Sequence, residues 1–181
     1  MENRGFKKQA NGEIKFEIEP LEIALLTSMI EQVVALLTPL NVEENQDPLA
    51  QMVGIDANAK KPDDDVLLRL LPDAYQNDKK ASQEFRRFTE RSLREIKTKR
   101  ANLVLENLPE PDQAILIKPK DFEAWLTVLN DVRLALGTRV GIDETDEGDL
   151  TEEEEEETDH AKEIYSWLTW LQSNLLEEIN S

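Results

Sequence analysis

Carboxylates and arginines recur in this sequence at spacings that could build either an acid–base site or an internal network of ion pairs. Glu22 falls on the apolar stripe of a predicted helix, while Arg133 and Arg139 flank the stripe of another helix that also carries Asn130 and Asp131. An unpaired charge turned toward a core costs several kcal/mol, so Glu22, and with it Glu84, is expected to pair with Arg133 or Arg139. The chemical alternative is an acid–base or anion-binding pocket made of Glu22, Glu90, Asp131 and Arg133. Two-signed clusters inside helical bundles are more often structural pairs, so these residues are expected to form ion pairs. No catalytic residue is assigned and no enzyme is expected.

Other chemistries fail for want of residues. The sequence has no Cys, which excludes disulfides, zinc–thiolate sites, iron–sulfur clusters and thiol redox sensing. The single His160 follows a run of glutamates, and without Cys or a second His it cannot join a His-containing metal or nucleophile constellation. Around Gly148 the acidic segment approximates a calcium loop, with Asp143 first, Asp149 seventh and Glu154 twelfth. Thr145 and Glu147 are wrong for the third and fifth positions, so neither a metal nor any cofactor is expected. No glycine-rich phosphate loop is present; Gly137 and Gly141 read as helix C-capping.

Binding is better supported than catalysis. Over its 181 residues the chain carries 39 acidic and 21 basic side chains, a net charge of -18. The charge is uneven: residues 79–100 hold nine basic against three acidic groups, whereas residues 140–181 hold one against 15. A total this acidic disfavours non-specific nucleic-acid binding, but the local surplus keeps a narrower version open. On a helical wheel Ala81, Phe85, Phe88, Ser92, Ile96 and Leu103 share a face that is expected to be buried. Lys80, Arg87, Arg91 and Arg94 stand opposite as an exposed basic ridge. Arg86, Glu90 and Arg94 are spaced for i,i+4 pairs, which at a surface are worth a few tenths of a kcal/mol. The ridge lies midway along a helix with few Asn, Gln, Ser or Thr among its cations, a poor helix-turn-helix pattern. Trp170 points away from the stripe of its own helix, either packing on residues 41–63 or serving as a contact residue. The candidate contact residues, for a protein or for nucleic acid, are therefore Arg87, Arg91, Arg94 and Trp170.

These side chains need elements to hold them. Alternation over residues 13–19 and the Asn11-Gly12 pair predict a β-hairpin. Pro20 opens a helix with Leu26, Met29, Ile30, Val33 and Leu37 on its stripe, ended by Pro39. Residues 41–63 read as a loop holding a helical turn at 49–53, and 64–71 as a short helix. Asn77 or Asp78 caps a long helix running to about Leu108, ahead of Pro109 and Pro111. Residues 114–117 suggest a third strand. A helix follows over about 120–139 with Phe122, Trp125, Leu129, Val132 and Leu136 inward. Thr158 or Asp159 caps the last helix, with Leu168, Leu171 and Leu175 on its stripe. The longest apolar runs, such as 33–37, fall far short of the ~20 residues needed to span a bilayer.

Three strings stand in order at this spacing: Leu70-Leu71-Pro72-Asp73-Ala74-Tyr75, Glu84-Phe85-Arg86-Arg87-Phe88-Thr89-Glu90, and Leu129-Asn130-Asp131-Val132-Arg133-Leu134-Ala135-Leu136-Gly137-Thr138-Arg139. They resemble an actinobacterial family known only as a domain of unknown function, of the DUF 2017 type. Its genes often lie beside that of the ClpS proteolysis adaptor, and its members are sometimes labelled transcriptional regulators. The resemblance implies a bacterial cytoplasmic setting and a link to transcription regulation or regulated proteolysis. It supplies no catalytic residues, and any family role that depends on cysteine oxidation cannot operate in a chain without Cys.

The expected fold is mainly α (α+β), with four principal helices packed as a bundle beside a small two- or three-stranded sheet. One domain spans 1–181, with 143–157 a mobile acidic loop and 158–181 a C-terminal helix packed on the domain. The expected function is that of a non-enzymatic cytoplasmic regulatory or adaptor module working by protein–protein contact. The alternative is a DNA-binding regulator using helix 79–100. The expected partner is a protein of unknown identity, DNA is not favoured, no membrane is involved, and a homodimer stays open. The acidic loop is further expected to screen the basic ridge within the molecule.

Overall fold

The computed structural model describes residues 4–38, 60–141 and 152–181, with side chains of 152–158 left aside. The predicted loop with its helical turn at 49–53, and the approximate calcium loop up to residue 151, lie outside the described residues.

Local chemistry sets the elements. Strands β1 (Gly5–Lys8) and β2 (Ile14–Glu17) pair antiparallel across the Asn11-Gly12 turn, with Phe6 opposite Phe16. Strand β3 (Ile115–Ile117) joins the other side of β2, with Ile117 opposite Ile14, giving the order β1-β2-β3. Alternation puts Phe6, Ile14, Phe16 and Ile117 on the buried face. There the rings of Phe6 and Phe16 stack at 4.2 Å and the edge of Trp125 closes on them at 6.0 and 5.2 Å.

Helix α1 (Pro20–Leu37) begins on Pro20 and buries Ile23, Leu26, Ile30, Val33 and Leu37. It is apolar and long enough to cross a bilayer by composition alone, with a mean hydropathy of 1.6, yet that stripe faces the protein core. Asp64 caps the short α2 (Asp65–Leu70), and Asp78 caps the long α3 (Lys79–Glu106). A 3-10 turn, Pro119–Asp121, leads into α4 (Phe122–Val140), which ends on left-handed Gly141. The Gly137 carbonyl accepts the Gly141 N–H in that cap, and a Cβ on Gly137 would stand 3.0 Å from the Tyr165 ring, so it also permits close approach of the last helix.

That last helix, α5 (Glu152–Asn180), starts six residues before the expected cap, so the glutamates of 152–157 are helical rather than loop. Glu is a good helix former and is favoured near a helix N-terminus, which outweighs like-charge repulsion of a few tenths of a kcal/mol per pair. Helix α4 is central and packs on α1, α2, α3 and α5, while α5 also lies along β1. The mainly α architecture with a small antiparallel sheet is as the sequence implies. Acidic α5 and basic α3 each dock on α4.

Candidate functional site

Helix α3 is tied to the segment before it by side chains. Asp78 Oδ1 accepts the Ala81 N–H at 2.9 Å and sets the first turn. Buried Ser82 donates its hydroxyl to the Tyr75 carbonyl at 2.7 Å and accepts the Tyr75 N–H at 2.9 Å. One turn later Arg86, its side chain only 5% exposed, donates to the Leu71 carbonyl at 3.0 Å, to Asp73 at 2.8 Å and to Glu90 at 2.6 Å. Glu90 also holds Arg94 at 2.9 Å, and Arg94 donates to the Leu37 carbonyl at 3.0 Å, satisfying the C-terminal end of α1. Lys61 reaches the second oxygen of Asp73 at 3.2 Å.

The network orders the local charges. Hydrogen bonds from Arg86 and then from Lys61 hold the Asp73 carboxyl below its usual 3.8. Burial works against the charge on Arg86, but its bonds to Asp73 and Glu90 outweigh that and strengthen its hold on the proton. A cavity of about 270 Å³ opens above this network between residues 71–74 and α3, walled by Pro72, Ala74, Phe85, Thr89 and Leu93. Two of the strings that carry the family resemblance, at 70–75 and 84–90, thus meet face to face.

The outer face of α3 departs most from expectation. The residues it buries are Ser82, Arg86, Ala101 and Val104. Of the expected stripe, Phe85, Phe88 and Ile96 remain 46%, 56% and 49% exposed and Ser92 is exposed as well, so the face expected in the core is on the surface over most of its length. Tyr75, half exposed, meets Phe85 edge-on at 6.1 Å. The physical reason is that acceptors from outside the helix claim its cations. Besides Arg86 and Arg94, Lys97 binds Asp131 of α4 at 2.7 Å, and Arg100 pairs with Glu123.

Of the predicted contact residues, Arg94 is therefore docked inward. Arg91 is 44% exposed and pairs with Glu95 at 3.0 Å, and Arg87 is half-buried. Five of the nine cations at 79–100 sit in ion pairs: Arg86, Arg91, Arg94, Lys97 and Arg100. Lys79, Lys80, Arg87 and Lys99 make none among the described residues. Trp170 is 43% exposed, and its ring lies across the backbone of Gly5, where an added Cβ would stand 2.8 Å away.

The expected pairings of Glu22 and Glu84 with Arg133 or Arg139 do not form. Glu22 accepts the Glu19 N–H at 2.9 Å at the start of α1 and pairs with Arg4, while Glu84 is exposed. Arg133 sits 5.6 Å over the Tyr165 ring and Arg139 lies 3.7 Å from Asp64. A helix-start carboxylate is consumed locally, and a wheel cannot show that. Glu22, Glu90, Asp131 and Arg133 hold different partners, and only Glu90 lines the cavity, so they do not form one acid–base pocket. Asp131 is 4% exposed; burial raises its pKa and Lys97 opposes that rise only in part. No cluster of His, Asp and Glu suited to a metal ion occurs among the described residues.

The sequence reading missed Arg86 and Asp73 as the centre of the site. The i,i+4 spacing of Arg86, Glu90 and Arg94 is the available signal, but on a wheel it reads as a set of exposed pairs. Nothing local marks Lys97 as the partner of Asp131, 34 residues away.

Comparison with known proteins places these features in context. The family model described as "Domain of unknown function (DUF2017)" matches residues 3–179. The "Putative oxidative stress regulator AosR" of Mycobacterium leprae is 32% identical over 189 residues, covering 92% of this chain and 83% of that protein. The "Oxidative stress regulator AosR" of Mycobacterium tuberculosis and that of Mycobacterium bovis are each 30% identical over 139 residues, or 69% of this chain and 64% of theirs. No solved structure matches the chain.

Proposed function

This chain belongs to the DUF2017 family, and from that premise we propose that it is a non-enzymatic cytoplasmic regulatory module that acts by protein contact through the outer face of α3. The observation that carries the reading is the row of exposed apolar side chains on that face, Phe85, Phe88 and Ile96, held rigidly by the Arg86 network beneath. Exposed aromatic side chains on a fixed helix are a common basis of protein recognition. Relatives named as oxidative stress regulators support a regulatory role. With no Cys in the sequence, any response of this chain to oxidants runs through something other than its own thiol chemistry. Direct DNA binding is less well supported, because most of the cations of the helix are held in ion pairs.

The test is complementation of a strain lacking the gene. Wild-type protein is expected to restore the transcript response to peroxide, and a folded Phe85→Ala/Phe88→Ala/Ile96→Ala variant is expected to fail. Duplex DNA titrated at two salt concentrations checks the competitor. Tight, steeply salt-dependent binding lost on changing Lys80 and Arg87 would favour DNA instead.

A further inference from the structure

We infer that the seam between α4 and α5 holds a binding site for a small carboxylate, centred on Arg133. The site is separate from the outer face of α3 and does not depend on it. Arg86, Arg94 and Lys97 each meet a carboxylate, whereas half-buried Arg133 meets none among the described residues. Its guanidinium lies 5.6 Å over the Tyr165 ring, on the face of α4 that also carries Asn130 and Gly137 at i-3 and i+4. Gly137 lets the ring come that close. An aromatic face stabilises the cation but accepts nothing from the N–H groups along its edge.

The edge of the guanidinium is poorly matched. Nε is buried with no acceptor, and Nη2 reaches Asn130 Oδ1 at 3.4 Å. Gln172 Nε2 donates to the same oxygen, also at 3.4 Å, so one neutral acceptor serves two donors at long range. Nε and Nη2 are a parallel pair with which a guanidinium holds a carboxylate through two hydrogen bonds. Tyr165, Thr169 and Gln172 follow one another along the facing side of α5, and none is acidic. A carboxylate entering the fork gives Nε its acceptor and neutralises the half-buried charge. Burial of Nε limits the ligand to a small one, and a single cation flanked by neutral amides suits a planar monoanion better than a doubly charged phosphate.

The test follows the Arg133 Nε–H resonance of the isotope-labelled full chain, assigned through its own side-chain carbons. Sodium acetate and sodium propionate are the probes, with sodium chloride and sodium phosphate at equal ionic strength as controls. Both carboxylates are expected to move the resonance to a plateau and to raise the melting temperature over the same concentration range. Chloride should do neither. Arg133→Lys keeps the charge without the fork, so its melting temperature should respond to acetate no more than to chloride. Gln172→Leu removes a neighbouring amide and should weaken acetate about threefold or more in the resonance titration. Far-ultraviolet circular dichroism checks that both variants fold. If Arg133→Lys does not, the resonance titrations of wild type and Gln172→Leu decide.

A resonance that stays in place with both carboxylates overturns the proposal. An equal shift in all four salts, an adventitious ion only, does the same. A plateau with phosphate and none with acetate or propionate would make a tetrahedral anion the ligand and overturn the carboxylate assignment. A melting response to acetate that persists in folded Arg133→Lys would put carboxylate binding elsewhere on the chain, against the proposal.

Discussion

Arg86 joins three parts of the molecule, and its removal strands two of them. Asp73 and Glu90 would lose the donor they share, and the Leu71 carbonyl would lose its side-chain partner. Breaking a buried pair costs more than the pair contributes, because the remaining charge is left desolvated. Arg86→Met should therefore destabilise the fold by about 3 kcal/mol, read as a lower urea midpoint. The carboxylates also predict an acid response. The pKa of Asp73 is depressed on folding, so its stabilisation is complete above 3.8 and is lost as pH falls through its lower folded value. The pKa of Asp131 is raised, so its contribution is present below 3.8 and is lost as pH rises through the raised value. Denaturant titrations below about pH 4 should show a shallower loss of stability in Asp73→Asn than in wild type. They should show a steeper loss in Asp131→Asn.

At the scale of elements, two helices are fixed by contacts that a wheel does not display. Lys97 clamps α3 to α4 through Asp131, with both side chains largely buried at 13% and 6% exposure. Lys97→Met alone should cost about 3 kcal/mol, whereas Lys97→Met/Asp131→Leu should recover most of that loss, because an apolar pair of similar volume needs no desolvation. A double-mutant cycle in urea measures this directly. Helix α5 covers the β1 edge of the sheet: Asn174 accepts the Phe6 N–H at 2.7 Å and Glu178 accepts the Lys8 N–H at 2.6 Å. Gly5 permits that approach, with φ of 95° and no Cβ to strike Asn174 or Trp170. Gly5→Ala should lower stability by about 2 kcal/mol or more, since it combines backbone strain with a clash. A melting temperature equal to wild type would show that α5 can shift to accommodate the methyl group.

For the whole molecule the relevant quantity is a net charge of -18 arranged with a basic α3 and an acidic α5 that each pack on α4. The pairs beneath α3 are sheltered from solvent and weakly screened, whereas repulsion among surface carboxylates is strongly screened. Raising salt from about 0.02 M to about 0.3 M should therefore raise the melting temperature. A fall would mean that exposed pairs such as Arg91–Glu95 outweigh the repulsion. The arrangement also limits the expected screening of the basic ridge by acidic residues. Residues 152–157 belong to α5, and most cations of the ridge already have internal partners.

What could be read without the fold was what short-range chemistry decides. Asn11-Gly12 turns the hairpin, Pro20 opens α1, Asp64 and Asp78 cap their helices, and period-two and 3.6-residue patterns mark β2, α1 and α5. These signals act within a few residues, so the sequence carries them intact. The tertiary structure decided which face of α3 is buried. Local hydrophobicity favours Phe85, Phe88 and Ile96. Arg86 and Lys97 are drawn inward instead by acceptors 13 to 34 residues distant, Asp73 and Asp131, whose proximity exists only once α2, α3 and α4 are packed. The apolar row that the sequence marks for the core is thereby left on the surface, and the candidate site lies there.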